Sequence, residues 1–543
     1  MNKLSTLKHR IRRLARFGII FFAIPDVIRF RNGLVSGCLF YYGFIRDSGL
    51  RSAGGRLVSD SAFVLRKSSV LYRYWLKNEV VLQARLEVPL EVVADIRDWS
   101  AVEVEKFSDY LSDVKWVAAQ TLIETDEAAL NFYTSTCLEI QSNPKKIVLF
   151  TKYPCLFHQN MEAVAQNFFE TDFDVLVFDH DEMIDGVRCK ASFHPGVDKE
   201  LFVQEKYNAC LLLNAAFFRG DAKEFGPNNL GASFLNKAIT PHHRPLVLVH
   251  FLRGPPIWCG EPLHNREAYD QVTSRLTSII IPTRDRLDLL KECVESIERK
   301  NPNGNYEIII VDNGSRERET LDWLLEREKL DRQVVVRCDE PFNWSRLNNY
   351  GAAHAKGECL IFLNNDTRSI DEGWISKMEM AVRQNDIGCV GPMLLYPDGT
   401  IQHAGLVVGF GGGADHIYSG FDPADCLDSP FVTPNVTRSV TCNTGACLAV
   451  EASRFFELGG FDEEFAIAGD LKLCVNFMSH GYRNIYLASV RLVHFESASR
   501  NRGFSDGERR SIAALIEANF AGGDPYFSNN LSTDSLYPMV RWY

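Results

Sequence analysis

The chain has 543 residues, 46% hydrophobic and 24% charged, a globular composition that excludes intrinsic disorder and collagen-like structure. Lys and Arg number 59 against 70 Asp and Glu, a formal net charge of −11, so the chain lacks the basic field of a general nucleic-acid binder. Its 14 cysteines, none in CxxC spacing, argue against a zinc ribbon or a secreted disulfide scaffold and predict reduced, mostly buried thiols.

The first 33 residues carry eight Lys and Arg against one acid around the apolar run Phe17–Pro25, which Pro25 and Asp26 stop. No run in the chain reaches the ~18 apolar residues of a spanning helix, and no small-residue cleavage pattern follows the basic segment. A basic amphipathic segment lying on an anionic membrane surface is therefore expected, with a docking helix that shows a solvated basic face as the equal alternative. Residues 1–140 have mostly helical periodicity.

Between 146 and 252 the apolar runs Lys146–Phe150, Phe173–His180, Ala209–Asn214 and Pro245–Phe251 read as buried strands of a small α/β unit whose role the residues do not disclose. Gly254, Pro255, Pro256 and the polar stretch Glu261–Ser274 mark a linker over 253–274. From Thr277 the pattern sharpens. Ser278–Ile281 is a strand, Arg286–Lys300 spaces Leu289, Leu290, Cys293, Val294 and Ile297 as a helix does, and Glu307–Val311 is a second strand. Such a βαβ unit implies parallel strands and a right-handed crossover. Helical Glu317–Lys329, strand Val334–Arg337, helical Ser345–Lys356 and strand Cys359–Leu363 continue the alternation. The reading is an α/β catalytic-type domain over 275–510, with a tail over 511–543.

Ligands of open α/β sheets bind beyond the carboxyl ends of the strands. Three polar clusters fall there: Pro282–Thr283–Arg284–Asp285, Asp312–Asn313–Gly314–Ser315 and Asn364–Asn365–Asp366–Thr367. In these positions the strings SIIIPTRDRLDLL, EIIIVDNGS, CLIFLNNDT, NTGACLAV with GGFDEEF, and HFESASR resemble the family 2 glycosyltransferases. PFNWSRLNN, YPDGTIQHAG and DPYFSNNLS are similar to segments of bacterial O-antigen and surface-polysaccharide glycosyltransferases such as rhamnosyltransferases. The resemblance covers about Thr277 to Ser532 and none of the first 250 residues.

The resemblance implies the glycosyltransferase A fold, a Rossmann-like mixed sheet flanked by helices, in the C-terminal half. It also implies inverting, metal-dependent transfer of a hexosyl or rhamnosyl group from a UDP- or dTDP-sugar to a glycan or lipid-linked glycan. The setting it suggests is lipopolysaccharide synthesis in the cytoplasm or peripherally on the inner face of the cytoplasmic membrane, with no nucleic-acid partner. Carried over residue by residue, Pro282, Thr283, Arg284, Asp285, Asp312, Asn348, Asn364 and Asn365 become donor-binding residues. Asp366 and His494 become ligands of Mn²⁺ or Mg²⁺, Asp470 the catalytic base, and His403, Thr444, Gly445 and Ala446 the acceptor side.

The chemistry requires these types. A hard divalent cation with oxygen ligands neutralises the diphosphate leaving group, and a nitrogen ligand such as His494 suits Mn²⁺ better than Mg²⁺. A carboxylate must take the proton of the attacking hydroxyl. Each residue also has a plainer role open to it: a turn for Asp366, an Asx-turn for Asp312, an N-cap for Asp470, core packing for Trp344 and a structural role for His403. The chain departs from the family at Asn364, in place of the first Asp of an Asp-any-Asp motif, and at Lys472 and Asn476, in place of Asp and Arg. A degenerate transferase acting as a scaffold or glycan-binding module is the non-enzyme alternative. A sugar nucleotidyltransferase would need a glycine-rich loop with a Lys after the first strand, which PTRDRLDLL lacks; Gly409–Gly413 does not sit between a strand and a helix and reads as a flexible loop, not a dinucleotide fingerprint.

Overall fold

In the computed structural model, the described residues are mainly 90–95, 117–123, most of 147–214, then 241–252, 275–410, 413–495 and 505–541. The basic segment 1–33 and the linker 253–274 lie outside them.

The N-terminal unit is one eight-stranded mixed sheet in the order β2-β1-β3-β7-β5-β8-β4, with β6 paired to β5. Its strands are β1 (Leu90–Asp95), β2 (Val117–Ile123), β3 (Ile147–Thr151), β4 (Cys155–Phe157), β5 (Val175–Ile184), β6 (Val187–Ser192), β7 (Cys210–Asn214) and β8 (Pro241–Phe251). The apolar runs expected as strands are strands, within a few residues. β1 and β2 depart from the helical periodicity expected across 1–140, nearly all the rest of which lies outside the described residues: LEVVAD and VAAQTLI pair in parallel with each other, and β1 with β3. A neighbouring strand edge decides the state of such short apolar runs, and local periodicity does not see it. Helix α1 (Met161–Phe169) buries Met161, Val164, Ala165 and Phe168 against Leu149, Leu176, Phe178 and Leu212 of the sheet.

The C-terminal unit matches the fold expected from the resemblance. Its ten-stranded mixed sheet has the order β11-β10-β9-β12-β19-β14-β20-β13, with β15 on β14 and β18 on β20; β16 and β17 form a separate ribbon. The strands are β9 (Thr277–Thr283), β10 (Tyr306–Asp312), β11 (Gln333–Arg337), β12 (Cys359–Leu363), β13 (Thr367–Ser369), β14 (Ile387–Leu395), β15 (Ile401–His403), β16 (Leu406–Val408), β17 (Ala414–His416), β18 (Arg438–Val440), β19 (Cys447–Glu451) and β20 (Arg483–His494). β9 runs parallel to β10 and β12, as the βαβ pattern demands.

The central strands are apolar at successive positions because both faces are covered. Ile279 and Ile281 pack with α2 (Leu287–Lys300), together with Trp374 and Met378 of α5 (Trp374–Val382). Ile280 and Val311 face the other way, in one cluster with Trp344 and Leu347 of α4 (Trp344–Ala352) and Leu471 and Cys474 of α7 (Gly469–Ser479). Two-residue alternation divides each strand between these layers. The other α-helices named among the described residues are α3 (Arg318–Arg327), α6 (Ala452–Glu457) and α8 (Asp506–Asn519). None of the described helices is long and apolar enough to cross a membrane. The described cysteines named as free thiols are all buried except Cys189, which is half-buried.

The segment after α8 joins the two sheets. Val148, Val177 and Phe193 share one buried cluster with Ile401, Val440, Phe527 and Tyr537. Asp198 accepts hydrogen bonds from Ser439 N and Ser439 Oγ, both at 2.8 Å, and Glu200 pairs with Arg483 at 3.0 Å. Asp524 accepts from Thr441 Oγ1 at 2.6 Å and from Val408 N at 2.8 Å.

Burial pushes Glu200 up to about 7 and Asp524 up to about 6, and raises Asp198 in the same direction. Each folded-state value lies above its unfolded one, so the folded state holds more protons between roughly pH 4 and 7. The stability these groups contribute is therefore full below about pH 4 and is lost progressively as pH rises to about 7. The thermal midpoint is expected to drop between pH 5 and 8, and Glu200→Gln to flatten that drop. Differential scanning calorimetry across the range is the check; a midpoint that climbs with pH contradicts the assignment.

Candidate active site

The carboxyl ends of β9, β10 and β12 lie side by side in the sheet, so the three polar clusters of the sequence converge. Asn365 Nδ2 donates to Thr283 Oγ1 at 2.9 Å, which fastens the end of β12 to the end of β9. Pro282 is half-buried and Arg284 is exposed beside it. Asp312 Oδ1 accepts from Ser315 N at 2.9 Å, the turn its sequence allowed, and its Oδ2 pairs with Arg337 Nη1 at 2.8 Å.

Asp285, expected among the donor-binding residues, also has a scaffolding role. It and Arg286 adopt left-handed backbone (φ 51° and 52°), and Asp285 Oδ1 accepts from Arg316 N and Glu317 N at 2.7 and 2.8 Å. That oxygen therefore anchors the approach to α3, which places Asp285 in the scaffold of the loop. Asn348 is a correction to the donor-binding set: it is fully buried in α4, with Nδ2 donating to Trp344 O at 2.8 Å.

Antiparallel pairing of β13 with β20 sets Thr367 opposite His494, and Phe495 N donates to Asp366 O at 2.9 Å. Asp366 Oδ1 and His494 Nε2 are consequently 3.1 Å apart, both buried. His494 Nδ1 lies 3.0 Å from Gln402 Oε1. Asn364 Oδ1 accepts from Trp344 Nε1 at 3.1 Å, and Asn364 Nδ2 is 3.4 Å from His494 Nε2. Two ligands of one small divalent ion, each ~2.1 Å from it at a right angle, stand about 3 Å apart. Asp366 and His494 fit that spacing. Among the described residues no group of three or more His, Cys, Asp or Glu is arranged to hold a metal ion, so further ligands would have to come from water or a phosphate.

Asp470 is delivered by a loop whose backbone is held almost entirely by side chains of other elements. Asn343 Nδ2 donates to Glu463 O, Ser345 Oγ to Phe465 O and Asn349 Nδ2 to Phe461 O, while Trp344 N donates to Ala466 O. Glu508, on α8, accepts from Ile467 N and Ala468 N at 2.8 and 2.9 Å. Ala468 is the N-cap of α7, so Asp470 is not; it stands inside the first turn. Asp470 Oδ2 accepts from Gly445 N at 2.6 Å and Oδ1 from Leu471 N at 2.8 Å. A Cβ at Gly445 would lie 2.4 Å from the Trp344 ring and 3.3 Å from Asp470 Cβ, so this close approach requires glycine.

Thr444–Ala446 thus join the two halves of the site: Gly445 N meets Asp470, and Ala446 O accepts from Asn364 N at 3.0 Å. His403 does not join them as an acceptor contact. It is fully buried, 2.9 Å from His416 Nδ1 and 3.3 Å from Asn443 Oδ1, and its burial, with His416 beside it, holds it well below the usual imidazole range. Trp344 packs in the core against Phe461 and does not present its face to a sugar.

Sequence reasoning passed over Arg337 and Gln402. Parallel pairing sets Arg337 directly opposite Asp312, so the signal for it was the last residue of the neighbouring strand.

Residues 278–408 match the family model described as Glycosyl transferase family 2. The chain is 40% identical over 298 residues to the uncharacterized protein y4gI of Sinorhizobium fredii, a match covering 52% of this chain and 32% of that protein. It is 35% identical over 274 residues to the O-antigen biosynthesis protein RfbC of Myxococcus xanthus, covering 50% of this chain and 21% of that one. A third relative, 27% identical over 134 residues, is an N-acetylglucosaminyl-diphospho-decaprenol L-rhamnosyltransferase of Mycobacterium tuberculosis, with 23% and 43% covered. The chain spans about a third or less of the length of the first two relatives.

Proposed function

Because residues 278–408 form a glycosyl transferase family 2 domain, we propose that this protein transfers a sugar from a nucleotide-sugar donor to a glycan or lipid-linked glycan during surface-polysaccharide synthesis. The observation that carries the reading is the meeting of the Asp366–His494 pair with Asp470 through Asn364, Trp344 and Gly445.

In this reading the nucleoside end of the donor lies along Thr283, Asp312 and Asn365. Asp366 and His494 would hold Mn²⁺ or Mg²⁺, which when bound supplies charge neutralisation for the departing diphosphate. Asp470 takes the proton of the acceptor hydroxyl as it attacks the anomeric carbon from the side opposite the diphosphate, giving inversion. Each Asp470 oxygen accepts one backbone N–H, from Gly445 and from Leu471, which fixes the carboxylate beside the glycine segment. The relatives named for O-antigen biosynthesis and for rhamnosyl transfer support a surface-polysaccharide role; the donor in this reading is a UDP- or dTDP-linked hexose or rhamnose, and the acceptor lies at the inner membrane face.

Asn364, Lys472 and Asn476 favour one second reading, a glycan-binding module without turnover. A thermal-shift screen of nucleotide sugars with Mn²⁺, followed by assay of donor consumption, separates the two. A ligand at a hundredfold excess over its Kd stabilises by about 2.7 kcal/mol, a readily measured shift. We expect a shift with UDP- or dTDP-sugars and consumption of the donor. Binding without consumption selects the second reading, and no shift with any nucleotide sugar ends both.

A further inference from the structure

We propose that Gln402 is a positioning residue whose side-chain carbonyl holds His494 in the one tautomer that presents the Nε2 lone pair to a divalent cation beside Asp366. The inference rests on the metal reading above and deepens it with a residue that reading leaves unused.

Gln402 is buried in the middle of β15, whose neighbours point elsewhere: Ile401 belongs to the core shared with the N-terminal sheet, and His403 bonds Asn443. The side chain of Gln402 instead reaches His494, Oε1 to Nδ1, at 3.0 Å. An imidazole nitrogen that faces a carbonyl oxygen carries a hydrogen, and a neutral imidazole has only one. Nε2 then carries the lone pair. In that tautomer it faces Asp366 Oδ1, a second acceptor, at 3.1 Å, and a cation bound between them would satisfy both.

Asn364 does not fill this place. Its Oδ1 is engaged by the Trp344 indole, which turns the amide nitrogen toward His494 at 3.4 Å, longer than a good hydrogen bond. Without the Gln402 carbonyl, the single hydrogen of the ring is able to move to Nε2 and donate to Asp366, occupying both ligand atoms at once. Groups that orient a ligating His in this way are typically worth about 10–100-fold in metal affinity.

The test is Mn²⁺ affinity of the full chain, read by electron paramagnetic resonance of the unbound ion, with UDP present to complete the coordination shell. Gln402→Leu and the shorter Gln402→Asn, which does not reach the ring, should each weaken Mn²⁺ binding by about 10–100-fold. Gln402→Glu keeps an acceptor oxygen and should bind Mn²⁺ at least as tightly as the native chain. Circular dichroism and thermal midpoints establish that each variant is folded, and either weakening variant suffices. His494→Ala is the reference. If His494→Ala loses Mn²⁺ while folded Gln402→Leu or Gln402→Asn retains native affinity, the role of Gln402 is overturned and the metal pair stands. If Gln402→Glu falls with the others, the carbonyl is not what matters and the proposal fails. If His494→Ala itself binds Mn²⁺ normally, the metal reading fails first.

Discussion

Asp470→Asn is expected to lower kcat by about 10²–10⁴-fold, the usual cost of losing a general base, while leaving the donor dissociation constant nearly unchanged. Asparagine has the same shape and keeps an oxygen for Gly445 N, giving up only the acceptor at Leu471 N in the first turn of α7, so the loop should remain in place. It has no carboxylate to take a proton. Transfer of radiolabelled sugar, together with calorimetric titration of the donor, measures both quantities. Native turnover would move the base to Asp462, Glu463 or Glu464, the acids of the preceding loop. Loss of donor binding along with turnover would make Asp470 a donor-site or structural residue, against the mechanism proposed here.

Asp366→Ala should remove the Mn²⁺-dependent part of nucleotide diphosphate binding, because it deletes the carboxylate of the Asp366–His494 pair and, among the described residues, no group of three or more His, Cys, Asp or Glu could hold the ion. The backbone pairing of β13 with β20, and the hydrogen bond from Phe495 N to Asp366 O, use no side-chain atom of Asp366, so the fold should persist. Titrating UDP with and without Mn²⁺ is the direct comparison: the native chain should gain affinity with the ion and the variant should not. Equal gains in both would place the metal elsewhere.

The strands that frame this site were legible because Ile279–Ile281, Ile308–Val311 and Cys359–Leu363 are buried on both faces and therefore read as continuous apolar runs. Their carboxyl ends could then be located, and with them Thr283, Asp312 and Asp366. The scaffolding role of Asp285 was not legible, because a carboxylate at a strand end looks the same in sequence whether or not it meets the backbone of the next loop, as it does at Arg316 and Glu317. His403 and Gln402 are adjacent, and only the facing of β15 decides that Gln402 reaches His494 while His403 turns inward. Glu508 was not identified at all, since its hydrogen bonds span some 40 positions to Ile467 and Ala468 and leave no local pattern.

The seam built by the segment after α8 bears on how the chain is made. Val148 and Tyr537 belong to one buried cluster although 389 positions separate them (537 − 148). At roughly 5–20 residues per second, ribosomes would take about 20–80 s to synthesise that interval. Throughout it the apolar face of the first sheet that includes Val148 and Val177 lacks part of its cover, and Ile467 and Ala468 lack the carboxylate that later receives their N–H groups. A nascent chain of this protein is thus a candidate for chaperone capture through its N-terminal half, and Asp470 settles into place only after Glu508 has been translated.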